Sequence, residues 1–97
     1  MITPVDHLSR SGRLNTFFID GQWLEPRGTA KGVVVNPATE EVVTQFPLGN
    51  SEDVDLAVSA ARRAFAAWSR TKPEYRADLL DRLQALLEAR SELLAQC

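Results

Sequence analysis

Residues 50–68, NSEDVDLAVSAARRAFAAW, decide how this chain folds, because their spacing predicts a single amphipathic helix. Asn50 or Ser51 can cap its first turn, and Asn50 with Asp53 has the spacing of a capping box, with Asp in place of the usual Glu or Gln. Apolar residues recur at steps of four and three, which places them on one face: Val54, Val58, Ala61, Phe65 and Trp68.

A stripe of small side chains lies beside that face, formed by Ala57, Ala60, Ala64 and Ala67. Together the two stripes cover an arc of about 200°, against about 100° for an ordinary surface helix. The helix is therefore expected to need partners on two sides. The alanine stripe would let another helix or a sheet approach closely, because small side chains do not hold it off.

Composition and charge narrow the functional class. The chain has 97 residues, 44% of them hydrophobic, and a net charge of −2, which is typical of a folded segment and leaves no broad basic surface for nucleic acid. Its one cysteine, Cys97, excludes an internal disulfide and fits a reducing compartment. No apolar run approaches the length of a membrane span, and residues 1–16 lack a signal-peptide core, so a cytoplasmic location is expected.

The chain before the helix predicts a flexible N-terminal arm over residues 1–16, followed by two β-hairpins. The only histidine, His7, falls in the arm and is expected to be a solvated side chain rather than a metal ligand. Strands at 17–19 and 22–24 flank Asp20-Gly21, a pair suited to a type I′ turn. Asp20 is therefore interpreted as a turn residue and not as a catalytic carboxylate.

A loop over residues 25–32 separates the two hairpins. A phosphate cradle needs a glycine-rich turn that opens onto a helix, and here a strand follows instead, so that function is rejected. The second hairpin is predicted from strands at 33–35 and 42–46. Pro37 favours a turn between them, and Asn36 and Thr39 can bond neighbouring backbone groups there.

A second helix is predicted over residues 74–96, with Pro73 in its first turn and a short link before it that favours an antiparallel helical hairpin. Arg76 and Arg90 fall inside its apolar arc. Such an arginine either extends its charge to water or, for Arg90, pairs with a carboxylate or carbonyl from another part of a larger protein. The arc of about 140° contains Leu79, Leu80, Leu83, Leu86, Leu87, Leu93 and Leu94.

These pieces, in this order, resemble the start of the NAD(P)-dependent aldehyde dehydrogenase superfamily. The resemblance rests on FFIDGQW, VVVNPATEEVV, the helix SEDVDLAVSAARRAFAAW and a leucine-rich helix from PEYRADLL, and it covers residues 17–97. It implies an α/β fold with a Rossmann-like cofactor domain, of which residues 17–97 would be an incomplete N-terminal part. It also implies aldehyde oxidation to a carboxylic acid with NAD or NADP.

In that family the nucleophilic cysteine, the glutamate, the oxyanion-stabilising asparagine and the nucleotide-binding segment lie beyond position 97. No catalytic, cofactor-binding or metal residue is therefore assigned here, and Cys97 receives no nucleophilic role. Some members bind a monovalent cation through main-chain carbonyls that would be those of Val34 and Val35, but further ligands would have to come from downstream. Family members often have glycine where Glu40 stands, and the glutamate is expected only to adjust the turn.

Two functional hypotheses follow. In the first, the chain is a non-catalytic scaffold segment of an aldehyde dehydrogenase, its partner is the remainder of that enzyme, and the complete enzyme is a homo-oligomer as in the family. In the second, the chain is a self-standing helical interaction module that dimerises through the alanine face of its apolar helix and has no enzyme activity. Neither the aldehyde nor the choice between NAD and NADP can be derived from these residues.

Overall fold

The computed structural model describes residues 4–97 and contains two hairpins followed by helices, in the predicted order. Each hairpin forms its own two-stranded antiparallel sheet, β1 with β2 and β3 with β4. The elements are α1 (Pro4–Ser11), a 3₁₀ turn (Arg13–Asn15), β1 (Phe17–Ile19), β2 (Gln22–Leu24), β3 (Lys31–Val35), β4 (Val42–Pro47), α2 (Ser51–Trp68), α3 (Pro73–Ala89) and α4 (Ser91–Ala95).

The first hairpin has the predicted register and turn. Ile19 pairs with Gln22, and the two residues between them, Asp20 and Gly21, have φ values of 56° and 71°. Positive φ at both central positions defines a type I′ turn, whose twist matches that of the strands. Asp20 is thus a turn residue, as expected. Trp23 is about half exposed, with its ring centroid 4.9 Å from that of Phe18.

The second hairpin is longer than predicted. Its strands extend to Lys31 and Pro47, which pair with each other, so Gly32 belongs to β3 and not to the preceding loop. Gly32 lies opposite Phe46, and a Cβ atom there would come within 2.5 Å of the Phe46 ring. The absence of a side chain at position 32 therefore lets the ring lie over the strand. The sequence pattern missed this strand start because glycine usually weakens a strand.

The turn of the second hairpin is held by side-chain bonds of the predicted kind. The Ala38 N–H donates to Oδ1 of Asn36 at 2.9 Å, and the Glu41 N–H donates to the Thr39 hydroxyl oxygen at 3.3 Å. Glu40 has a φ of 62°, in the left-handed region that favours glycine. This position is therefore a strained place for a glutamate, which is a larger effect than the small adjustment expected from the sequence.

Helix α2 begins at the cap that the sequence predicts and ends at Trp68, the last residue of the predicted stretch. The Asp53 N–H donates to Oδ1 of Asn50 at 3.1 Å, and the Asn50 N–H donates to Oδ2 of Asp53 at 3.0 Å, so the capping box is complete. The alanine stripe contacts the first hairpin, which is a sheet, one of the two kinds of partner expected for it. Phe18 and Ile19 of that hairpin line a shared groove with Ala57, Ala60, Ala61 and Ala64 of α2. In the described part of the chain, Ala60 is the one buried apolar side chain.

The region before β1 contains two elements that the sequence pattern did not predict, α1 and the 3₁₀ turn. Between them Gly12 has a φ of 77°, and this left-handed residue ends α1 after two turns. Two turns are too short to give a sustained apolar period in the sequence. His7 lies on α1 and is exposed, as predicted. Residues 1–3 of the proposed arm lie outside the described part of the structure, and the flexibility of residues 1–16 stays a prediction.

The second predicted helix is interrupted. Arg90, with φ of −112° and ψ of 17°, separates α3 from α4, so the prediction of one continuous helix over 74–96 is wrong at this residue. Its N–H is shared between the carbonyls of Leu86 and Leu87, both at 3.2 Å, as in a tightened last turn. Among the described residues, α3 follows α2 without packing along its length.

The two helices meet at the link between them. The rings of Trp68 and Tyr75 contact edge to face, with centroids 6.5 Å apart. The Arg76 guanidinium donates to the Thr71 hydroxyl oxygen at 3.1 Å and also to the Thr71 carbonyl. Arg76 therefore binds the link between α2 and α3 rather than projecting freely from the leucine arc.

Candidate functional site

Asp53 is the one buried charged residue among those described, with 5% of its surface exposed. Besides its role in the capping box, its carboxylate binds the loop after the first hairpin. The Arg27 N–H donates to Oδ1 at 2.8 Å, and the Gly28 N–H donates to Oδ2 at 3.3 Å. One side chain therefore joins the first turn of α2 to a loop about 25 residues earlier in the chain.

Hydrogen bonding sets the protonation state of Asp53. The backbone N–H of Asn50, followed by that of Arg27, lowers the pKa of the Asp53 carboxyl, and these bonds outweigh the opposing effect of burial. A carboxylate whose oxygens already accept three backbone N–H groups is a structural anchor and a poor general base. The sequence pattern predicted the capping role but not the bonds to the loop, because nothing in the local spacing indicates them.

The same bonds explain why the glycine-containing loop is not a phosphate cradle. The N–H groups of Arg27 and Gly28 do point at an anion, but that anion is the Asp53 carboxylate. The N-terminus of α2, which could otherwise receive a phosphate, is capped by Asn50. These residues therefore do not fit a nucleotide phosphate.

The other candidates named from the sequence do not come together. Residues 4–97 contain no group of three or more His, Cys, Asp or Glu side chains that could hold a metal ion. Cys97 is exposed, and its thiol donates to the Leu93 carbonyl at 3.4 Å. Cys97 lines an apolar groove with Val34 and Val35, and Asp53 is not part of this groove. The monovalent cation site at the carbonyls of Val34 and Val35 stays a prediction.

Many large apolar side chains of the described residues are exposed to solvent. On α2, the apolar side of the helix next to the alanine stripe carries four large residues that the described residues leave largely uncovered, and we term these the α2 face. Their exposed fractions are 57% for Val54, 48% for Val58, 66% for Phe65 and 47% for Trp68. The predicted excess of apolar surface on this helix is thus present in the structure.

A second apolar surface runs along α3 and α4. We term it the leucine strip, and its members are between 49% and 66% exposed: Leu80, Leu83, Leu86, Leu87, Leu93 and Leu94. Burying one such side chain fully is worth about 1.5–3 kcal/mol, so leaving six of them half exposed is costly in water. Large contiguous apolar patches on a protein surface mark interaction sites.

The overall dimensions of the chain also support the interpretation that these apolar surfaces are interaction sites. The Cα radius of gyration is 17.1 Å, whereas a compact chain of this length has about 12–13 Å. The accessible surface is 8155 Å², whereas about 5,500 Å² is expected for a folded monomer of this mass. The chain thus exposes roughly half as much surface again as a compact domain, and the excess includes the α2 face and the leucine strip. None of the described helices combines the length and apolar character needed to cross a membrane.

Comparison with known proteins identifies where such a segment occurs. A model of the aldehyde dehydrogenase family matches residues 23–97. The chain is 48% identical over 80 residues to a 3-succinoylsemialdehyde-pyridine dehydrogenase from a Pseudomonas species, covering 82% of this chain and 17% of that protein. It is 44% identical over 79 residues to malonate-semialdehyde dehydrogenase 1 of Shouchella clausii, covering 81% of this chain and 16% of that protein.

A solved structure shows the same arrangement. The chain superposes on a mutant of aldehyde dehydrogenase C from Pseudomonas syringae, crystallised with NAD+ and octanal, with a TM-score of 0.82 and 45% identity. The superposition covers 99% of this chain and 18% of that protein. The fold is thus that of a segment of an α/β, Rossmann-like enzyme. The chain spans about a sixth of the length of the relatives that it matches.

Proposed function

Because this chain belongs to the aldehyde dehydrogenase family, we propose that it is the N-terminal scaffold segment of an NAD(P)-dependent enzyme that oxidises an aldehyde to a carboxylic acid. The observation that carries this proposal is the exposed apolar surface of α2, α3 and α4 in a chain that matches about a sixth of each relative. The remainder of the enzyme would cover the α2 face and the leucine strip. The complete enzyme is proposed to be a homo-oligomer in the cytoplasm.

In this proposal the segment performs no chemical step. NAD or NADP would accept the hydride in the complete enzyme, and the P. syringae relative was crystallised with NAD+. The Arg27 and Gly28 amides of the glycine-containing loop already bind Asp53, which supports the proposal that the nucleotide is held elsewhere in the enzyme. Their role is to position α2, so that its apolar face is presented in one orientation to the cofactor-binding domain.

The proposal is tested by transplanting the chain into a complete enzyme. In a chimera, this chain replaces the matching segment of P. syringae aldehyde dehydrogenase C, in a version that has its natural active site. We expect the chimera to oxidise octanal with NAD+ at a kcat within about threefold of that of the parent, because the segment supplies support and no reacting group. The isolated 97-residue chain should give no reduced cofactor above background. Turnover by the isolated chain, or a chimera that fails to fold, would contradict the proposal.

A matched pair of variants checks that the α2 face carries the docking. Val58→Asp places a charge on the α2 face, whereas Ser59→Asp places the same charge one residue further on, on the polar side of the helix. A buried, unpaired carboxylate costs several kcal/mol, so the first chimera should be insoluble or inactive and the second should resemble the unmodified chimera. Equal behaviour of the two variants would exclude the α2 face as the buried surface.

A further inference from the structure

Arg90 is a cation at the centre of an apolar surface. On a helical projection Arg90 lies among four leucines. Leu86 and Leu87 precede the interruption of the helix, and Leu93 and Leu94 follow it. The break does not move it off this surface. The Arg90 N–H still reaches the Leu86 carbonyl at 3.2 Å, and the Leu94 N–H reaches the Arg90 carbonyl at 3.0 Å, so the helical register continues through Arg90.

The charge of Arg90 is not satisfied within the described residues. Arg90 is exposed, and its guanidinium has no hydrogen bond or ion pair with any of them. The other arginine of the arc, Arg76, is bonded to Thr71. The four leucines around Arg90 are each about half exposed. A surface that covers these leucines would therefore also remove the guanidinium from water, which is costly unless an acceptor meets it.

We propose that the leucine strip docks against an apolar surface of the remaining aldehyde dehydrogenase chain that carries one carboxylate, and that this carboxylate pairs with Arg90. The inference rests on the proposed function and specifies the chemistry of the partner surface. Arginine suits such a buried pair, because its planar guanidinium can donate two parallel bonds to a carboxylate and is weakly hydrated. The leucines supply the area, and the ion pair fixes the register in which the strip docks.

The test compares three substitutions at Arg90 in the chimera, with the temperature of half-inactivation as the measurement. Arg90→Leu is the decisive variant. If the guanidinium pairs with a buried carboxylate, leucine leaves that carboxylate unpaired, and the temperature should fall by about 5 °C or more. If the arginine only extends its charge to water, leucine enlarges the apolar strip, and the temperature should stay the same or rise. That second result would overturn the proposal.

The other two substitutions identify the acceptor. Arg90→Lys keeps the charge but not the two parallel bonds, so its stability should fall between those of arginine and leucine, whereas Arg90→Gln keeps a donor without the charge and should lose nearly as much as leucine. Glutamine as stable as arginine would indicate a neutral carbonyl and would overturn the carboxylate assignment. Arg10→Leu, the same change in α1 outside residues 23–97, is the control and should leave the temperature unchanged.

Failure of this inference is distinguishable from failure of the proposed function. An unmodified chimera that is inactive or unfolded contradicts the scaffold role itself. A stable, active unmodified chimera whose Arg90→Leu variant is equally stable leaves the scaffold role intact and removes only the ion pair.

Discussion

At the scale of single residues, Asp53 connects the two halves of the chain. Its carboxylate accepts N–H groups from Arg27, Gly28 and Asn50, so that the loop and the helix start share one anion. Charge-assisted bonds of this kind are shorter and stronger than neutral ones. The position of α2 relative to the loop therefore depends on the ionised form of a single side chain.

This dependence gives a pH prediction. Because the pKa of Asp53 is lowered in the folded chain, the stabilisation it provides is complete above the ordinary aspartate range, about 3.9, and is lost as the pH falls through the lowered pKa. In an NMR titration, the amide shifts of Arg27 and Gly28 should change together at a pH below that range. Asp53→Asn should abolish the change, and Asp55→Asn, an exposed neighbour on α2, should not. A midpoint at or above the ordinary value would contradict the lowered pKa.

Glu40 gives a second prediction at this scale. Its φ of 62° is unfavourable for a residue with a side chain by roughly 1 kcal/mol, and glycine removes most of this cost. We expect Glu40→Gly to slow hydrogen exchange of the Asn36 amide, which donates to the Glu41 carbonyl across the turn, by about fivefold. Glu41→Gly is the control, since Glu41 has no positive φ, and it should speed the exchange. Faster exchange in both variants would show that Glu40 is not strained.

Local turn and cap chemistry could be predicted from the sequence, whereas contacts between distant residues could not. Asp20-Gly21 and the Asn50–Asp53 box each act within four residues, and the structure confirms both. The bonds from Asp53 to the loop could not be predicted from the spacing of residues along the sequence, because they join residues that are far apart in the chain. The interruption at Arg90 was missed for another reason, since neither glycine nor proline marks it.

At the scale of elements, the alanine stripe of α2 decides how closely the first hairpin approaches. Ala60 is 8% exposed beneath β1, and the ion pair of Arg63 with Asp20, at 3.3 Å, lies on the surface beside it. An exposed pair of this kind contributes little, so the contact of β1 with the alanine stripe at the buried Ala60 carries most of the attachment. The first hairpin and α2 are therefore held together mainly by apolar contact with small side chains and not by the ion pair.

A larger side chain on the alanine stripe should separate the first hairpin from α2. Ala60→Leu adds three carbon atoms where β1 already contacts the helix, and such overpacking typically costs about 1–3 kcal/mol. We expect the nuclear Overhauser contacts between the Ile19 side chain and α2 to disappear in this variant. Ala67→Leu, on the same stripe but outside the groove shared with β1, should preserve them. Contacts that persist in Ala60→Leu would show that the hairpin does not depend on the small residue.

At the scale of the whole molecule, residues 4–97 do not form the enclosed core of a compact domain. Its accessible surface of 8155 Å² and its long apolar strips predict incomplete folding cooperativity when the chain is alone. This scale also separates the scaffold role from the alternative, in which two copies of the chain cover each other. A symmetric dimer would need a self-complementary surface, and the α2 face would have to supply it.

Sedimentation and dye binding of the isolated chain distinguish these roles. For a scaffold segment we expect a loosely packed monomer or aggregates, strong fluorescence of a hydrophobic dye such as ANS, and a broad thermal transition. Phe65→Ser, which reduces the α2 face, should lower the fluorescence. Thr71→Ser, a conservative change in the link between the helices, should not. A discrete dimer with a sharp, concentration-dependent transition would instead support the self-standing module.

The exposed α2 face also has a consequence for biosynthesis. If the segment begins a polypeptide as long as its relatives, α2 leaves the ribosome while about five-sixths of the protein is still untranslated. At elongation rates of about 5–20 residues per second that interval is on the order of tens of seconds. During it, Val58, Phe65 and Trp68 have no covering surface. Nascent chains that carry this segment should therefore recruit a holdase chaperone early in translation.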